Sequence, residues 1–220
     1  MRRSLLLAAW ALGPALLATA CGGGAQPVQT QPPPQRYPHT EADIRFMSDM
    51  IGHHSQALVM AEWAPSHGAS RAVSTLAERI ASGQQDEIAL MQQWLRDRQQ
   101  AVAQPSSRAP GSSTDTASHS AGQGHQHGGH DMLMPGMLTQ AQLNELNRAR
   151  GREFDRLFLQ YMIQHHRGAL TMVDRLFATP GAARDEATFK LANDVSADQS
   201  SEIARMERML AELATAGGAP

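Results

Sequence analysis

The chain has 220 residues, with 19 Lys and Arg against 21 Asp and Glu and a formal charge of -2. That balance offers no basic face for nucleic acid, which is excluded as a partner class. One cysteine stands among 12 Met and 10 His, so the protein has no internal disulfide, and any soft-metal chemistry must use thioether and imidazole.

Arg2 and Arg3 precede an apolar run from Leu5 to Ala20 that ends in small residues before Cys21. This predicts an export signal over residues 1–20, too short and too interrupted by Gly13 and Pro14 for a membrane span. Loss of Arg2 and Arg3 takes the formal charge from -2 to -4. The stretch Leu17-Ala18-Thr19-Ala20-Cys21 resembles the lipobox of bacterial lipoproteins, which implies lipidation of Cys21 and a lipid membrane as partner. Ala18 stands where leucine is usual, so plain secretion is the alternative. With Gly22 and no Asp after Cys21, the expected location is the periplasm-facing envelope, on the outer membrane where one exists. Residues 21–38 are rich in Gly, Gln and Pro and read as a flexible tether.

A first helical hairpin is predicted over residues 39–103. Phe46, Met50, His54, Ala57, Leu58 and Ala61 recur at intervals of three and four, the helical period. Thr40 with Asp43 has capping-box spacing, and Pro65 and Gly68 mark the loop. Residues 104–137 are Ser and Gly rich and read as a disordered linker. Within it His119, His125, His127 and His130, with Met132, Met134 and Met137, form a tract suited to weak metal capture. A second hairpin follows over residues 138–214, with a capping box at Thr139 and Gln142, an amphipathic lead-in to Arg150, and a loop at Pro180 and Gly181.

The two hairpins repeat one another. Residues 43–61 align without gaps on residues 155–173, matching Asp43 with Asp155, Phe46 with Phe158, Met50 with Met162, His53 with His165, His54 with His166, and Met60 with Met172. Further on, Gln84, Glu87 and Met91 correspond to Gln199, Glu202 and Met206. The fold class expected is all-α: two duplicated hairpins that bury their apolar stripes against each other as a four-helix bundle.

Met50 lies one turn before His53 and His54 on the same helix face, as Met162 does for His165 and His166. Thioether favours Cu(I) and imidazole accepts copper or zinc, so the set leans to copper. The first 19 aligned residues differ at ten positions, yet both copies carry the His pair, the preceding Met and the Met that follows. Candidate ligands are therefore Met50, His53, His54, Met60, Met162, His165, His166 and Met172. Gln84, Glu87, Gln199 and Glu202 fall inside apolar stripes and need partners, which makes them candidate ligands or acceptors that orient the imidazoles; counting from the loops sets Gln84 level with the His pair and Glu87 level with Met50. Met91 and Met206 could complete a thioether set or simply fill the core.

The segments Phe46-Met-Ser-Asp-Met-Ile-Gly-His-His and Phe158-Leu-Gln-Tyr-Met-Ile-Gln-His-His-Arg-Gly-Ala resemble the domain-of-unknown-function family numbered 305. The resemblance implies a ferritin-like four-helix fold and exported proteins often linked to copper handling, with other copper-handling envelope proteins as partners. It carries the metal-binding pattern onto Met50, His53, His54 and Met60 and onto Met162, His165, His166 and Met172. One departure is Ser55-Gln56 in the first half against Arg167-Gly168 in the second, which would loosen the first site if the glycine serves close packing.

Three functions compete: a copper buffer or chaperone, a metal-dependent oxidase, and a metal-free structural or adaptor lipoprotein. No Glu has a His three residues later, which disfavours a di-iron carboxylate site, and no hydrolytic or phosphate-binding motif is legible.

Overall fold

The computed structural model describes residues 38–103 and 133–216. The signal, Cys21, the tether to residue 37, and His119, His125, His127, His130 and Met132 lie outside the described residues. Among those described, all regular structure is helical: α1 (Glu41–Glu62), α2 (Arg71–Asp97), α3 (Gln140–Arg148), α4 (Gly151–Ala178) and α5 (Glu186–Ala216). None is long and apolar enough to cross a membrane.

Both predicted capping boxes form. The Thr40 hydroxyl accepts from the Asp43 amide while the Asp43 carboxylate accepts from the Thr40 amide, and Thr139 and Gln142 do the same ahead of α3. The lead-in to the second half is thus a helix of its own. It ends where Ala149 and Arg150 turn extended, and Gly151, at a positive φ of 56°, opens α4, its amide donating to the His67 carbonyl at 2.8 Å.

Helices α1 and α2 form one hairpin, α4 and α5 the other, and the hairpins meet chiefly through α1 and α4. Two matched aspartates clasp them. Asp43 on α1 accepts from the Ala183 amide in the loop of the second hairpin at 2.7 Å, and Asp155 on α4 accepts from the Ser70 amide in the loop of the first at 3.1 Å. Since the start of each inner helix meets the far end of the other hairpin, α1 and α4 run antiparallel.

The core is divided along the bundle axis. One apolar cluster holds Ala57 to Ala64, Val73 to Ile80, Phe154 to Ile163 and Met206, roofed by Leu138 and by Leu143 and Leu146 of α3. The other holds Phe46 to Ile51, Ile88 to Leu95, Ala169 to Leu176 and Leu191 to Val195. Between them, on all four long helices, lie His53 and His54, Gln84 and Glu87, His165 and His166, and Gln199 and Glu202. A polar layer cuts through the middle of the bundle.

Residues 133–138, which the composition assigns to the linker up to residue 137, pack instead as a strap across α1 and α4. Gln56 grips it by donating to the Leu138 carbonyl and accepting from the Leu138 amide at 2.7 Å. On α4 the strap lies against Gly168, where an added Cβ would come within 1.9 Å of the Pro135 carbonyl oxygen. The Gln56 and Gly168 departure from the repeat therefore serves a single strap crossing a two-fold arrangement, with one position gripping it and its counterpart making room.

Candidate metal centre

All four repeat histidines are fully buried at the crossing of α1 and α4. The His53 and His165 rings lie against each other with centroids 3.9 Å apart, and His54 and His166 flank them at 6.4 and 6.2 Å from their chain neighbours. The duplicated motif therefore makes one cluster rather than two distant sites.

Every ring is held by Nε2. His54 Nε2 donates to Glu87 and His166 Nε2 to Glu202, each at 2.7 Å. His53 donates to the Pro135 carbonyl at 2.9 Å and His165 to the His53 carbonyl at 3.0 Å. Carbonyls and carboxylates can only accept, so the proton of each neutral imidazole sits on Nε2 and the lone pair on Nδ1. All four Nδ1 atoms are buried without a hydrogen-bond partner.

Burial disfavours protonation of His53, His165 and His166. It pushes His53 down to about 3, aided by His54, and holds His165 well below the usual histidine range. His166 is lowered by burial too, against the opposing pull of Glu202. Such groups bind protons more weakly folded than unfolded, so the unfolded chain gains protons first as pH falls. The stability of the metal-free protein is therefore full above the ordinary value near 6.5 and lost below it, by up to about 1.4 kcal/mol per pH unit for each such ring. Thermal unfolding of the apo protein from about pH 7.5 to about pH 4.5 checks this; a flat Tm would contradict it.

The carboxylates mark the water side of the layer. Glu87 and Glu202 side chains are 12% and 23% exposed, and both raise the Asp198 carboxyl, whose largest cause is its own burial. Glu87 thus meets His54, a turn away from the level of Met50 where loop counting sets it, and Gln84 is the residue left over. Gln84 is 2% exposed with both amide atoms unpartnered, and Gln199 is 1% exposed with an unpartnered Oε1.

Met50 and Met162 are fully buried one turn before the His pairs, in the two apolar clusters on either side of the layer. Met91 shares a cluster with Met50, and Met206 with Met162. Met60 and Met172 stand seven residues beyond His53 and His165, about 10 Å along the helix, too far to share one ion with those rings. Met134 and Met137 belong to the strap, partly buried, and Met134 packs on the second cluster. Sequence reasoning missed the Pro135 carbonyl and the strap, whose only trace was the broken repeat at Gln56 and Gly168.

The profile of the family described as "Domain of unknown function (DUF305)" matches residues 43–210. The chain belongs to this family. Among solved structures, a DUF305 protein from Streptomyces coelicolor is similar at 28% identity and a TM-score of 0.62, over 79% of this chain and 94% of that one. A DUF305 fragment from Deinococcus radiodurans gives 27% and 0.61, over 80% and 99%. CopM in its Cu(I)-bound form gives 25% and 0.54, over 77% and 96%. CopM is also solved with Cu(II) and with Ag. No curated protein matches the chain.

The residues of this DUF305 chain fit a soft ion by their donor chemistry. Four unprotonated Nδ1 atoms are fixed by acceptors on the far side of each ring, the arrangement in which outer partners orient metal-binding imidazoles. Among the described residues no three His, Cys, Asp or Glu side chains already stand in a ligating arrangement. A centre here would draw on imidazole pairs or on imidazole with thioether.

Proposed function

We propose that this DUF305 protein is an envelope-anchored copper-binding protein, a buffer or chaperone, that holds its ion in the histidine layer. The observation that carries this reading is the set of four buried, unpartnered Nδ1 atoms at one helix crossing. A purely structural polar layer would pair its atoms, since each buried orphan costs about 1–3 kcal/mol. His53, His54, His165 and His166 are the proposed ligands, with Met50 and Met162 as the nearest thioethers and Met91 and Met206 behind them. Glu87 and Glu202 orient His54 and His166; Gln84 and Gln199 supply unpaired amide atoms to the same layer.

Metal choice follows from the donors. Structural zinc takes four tetrahedral N, S or O ligands, and hard cations want oxygen, whereas imidazole with thioether favours Cu(I). CopM, of like fold, takes copper and silver. The envelope location rests on the lipobox-like stretch ending at Cys21, and the His and Met tract of residues 104–132 is proposed as a weaker reservoir.

Competition for Cu(I) against a chromophoric chelator tests the reading, using the chain from Gly22 with and without residues 104–132. The expected result is tight binding that survives the deletion, because the strap and the histidine layer stay intact. Absence of tight binding, or its complete loss on deletion, would overturn it. The adaptor alternative predicts no response to metal in either chain.

A further inference from the structure

The duplication creates two equivalent grooves between α1 and α4, and the described residues fill only one. At the first, Met60 of α1 and Trp63 and Ala64 just past its end face Phe154, Leu157, Phe158 and Tyr161 of α4, and Leu143 and Leu146 of α3 close it over. At the second, the matched positions are Met172, Arg175 and Leu176 of α4 and Ala42, Arg45, Phe46 and Asp49 of α1. Here the residues matched to Leu157, Tyr161 and Trp63 are Arg45, Asp49 and Arg175, so the surface that seats a helix in one groove is polar in the other. That second groove is a cavity of about 400 Å³.

Met60 and Met172 are matched by the repeat, but their fates differ. Met60 is fully sealed, while Met172, 8% exposed, lines the open cavity. A second thioether joins it there from the strap, because Met134 also lines the cavity. The strap is pinned beside it by the bond from His53 to the Pro135 carbonyl, and Met134 Cε rests 3.4 Å from where a Cβ on Gly52 would stand. Met134 thus reaches from the cavity lining to Gly52, the residue before His53.

We propose that Met134 and Met172 form a second soft-cation site, a port through which Cu(I) or Ag(I) passes to the histidine layer. The inference rests on the reading of that layer as a metal centre. Two thioethers select a soft monovalent ion. The distance of Met172 from His165, two helical turns, makes the port a separate station rather than a ligand of the same ion.

Methionine-methyl NMR during Ag(I) titration of the chain from Gly22 tests the port. The Met134 and Met172 methyl signals are expected to shift, and to shift still in the variant with His54→Gln and His166→Gln, which keeps the His53 bond to the strap. Met134→Leu keeps the side-chain volume, and is expected to slow Cu(I) uptake from a chelator about ten-fold and to remove the port's own ion from the amount finally bound. The port is overturned if both methyl signals stay fixed while Ag(I) binds, or if Met134→Leu loads at the wild-type rate. If both methyls respond but no imidazole does, the histidine centre fails and the thioether site stands.

Discussion

Replacing His53, His54, His165 and His166 together by alanine is expected to abolish tight Cu(I) binding, with a loss well beyond the roughly 10- to 100-fold that follows from removing an orienting partner alone. Mature protein lacking all four imidazoles would retain the thioethers of Met50, Met162, Met134 and Met172, so any residual affinity is weak and soft-metal selective. Four buried rings also leave space behind, and helical content must be checked alongside binding. The pair variant His54→Gln and His166→Gln fills most of that space and removes two Nδ1 donors, so it separates loss of ligands from loss of fold. Competition titration reads both; unchanged affinity in the four-alanine chain would remove the histidine layer from consideration.

Gly168→Ala is the largest stability effect expected from one added methyl group. Its Cβ would meet the Pro135 carbonyl at 1.9 Å and the Gly136 Cα at 2.6 Å, contacts with backbone that no rotamer change can relieve. Gly136 cannot yield easily either, since it holds φ at 75° against the Gln164 carbonyl. The strap must lift. The cost is then bounded by what the strap contributes: the two Gln56 hydrogen bonds and those of His53 and Gln164 at about 1 kcal/mol each and the burial of Leu138 at about 2, or about 6 kcal/mol in all. Denaturant unfolding is expected to show most of that loss, and His53 should lose the acceptor that fixes its tautomer. A change under about 1 kcal/mol would mean the strap is not seated on α4.

Much of this architecture is legible in the sequence because the repeat is strong. The matched His pairs, the helical spacing of the apolar residues and both capping boxes lead directly to two hairpins around buried imidazoles. Glu87 and Glu202 stand out as carboxylates within apolar stripes, and their bonds to His54 and His166 answer the need for partners. Their register is less legible: the turn after Trp63 and the Ser70 cap set where α2 begins, so counting residues from the loop misses by about a turn. The clasp made by Asp43 and Asp155 is hidden for a different reason, because each acts across the bundle on a backbone amide that has no side-chain signature.

The strap is the hardest feature to read forward. Leu133 to Leu138 sits at the end of a low-complexity stretch, and Met134-Pro135-Gly136 has the composition of a linker. Its physical signal lies elsewhere, in the two positions where the repeat breaks. Gln56 supplies an amide for the Leu138 backbone, and Gly168 removes a side chain from under Pro135. Broken symmetry in a duplicated protein points to whatever crosses the symmetry axis once.

Nitrogen NMR of the imidazoles during addition of one equivalent of Ag(I) tests the central claim most directly. The histidine layer predicts that Nδ1 resonances of His53, His54, His165 and His166 move while their Nε2 atoms stay protonated and bonded to Pro135, Glu87, His53 and Glu202. Unmoved Nδ1 resonances in all four rings, or coordination through Nε2 with loss of those bonds, would contradict it.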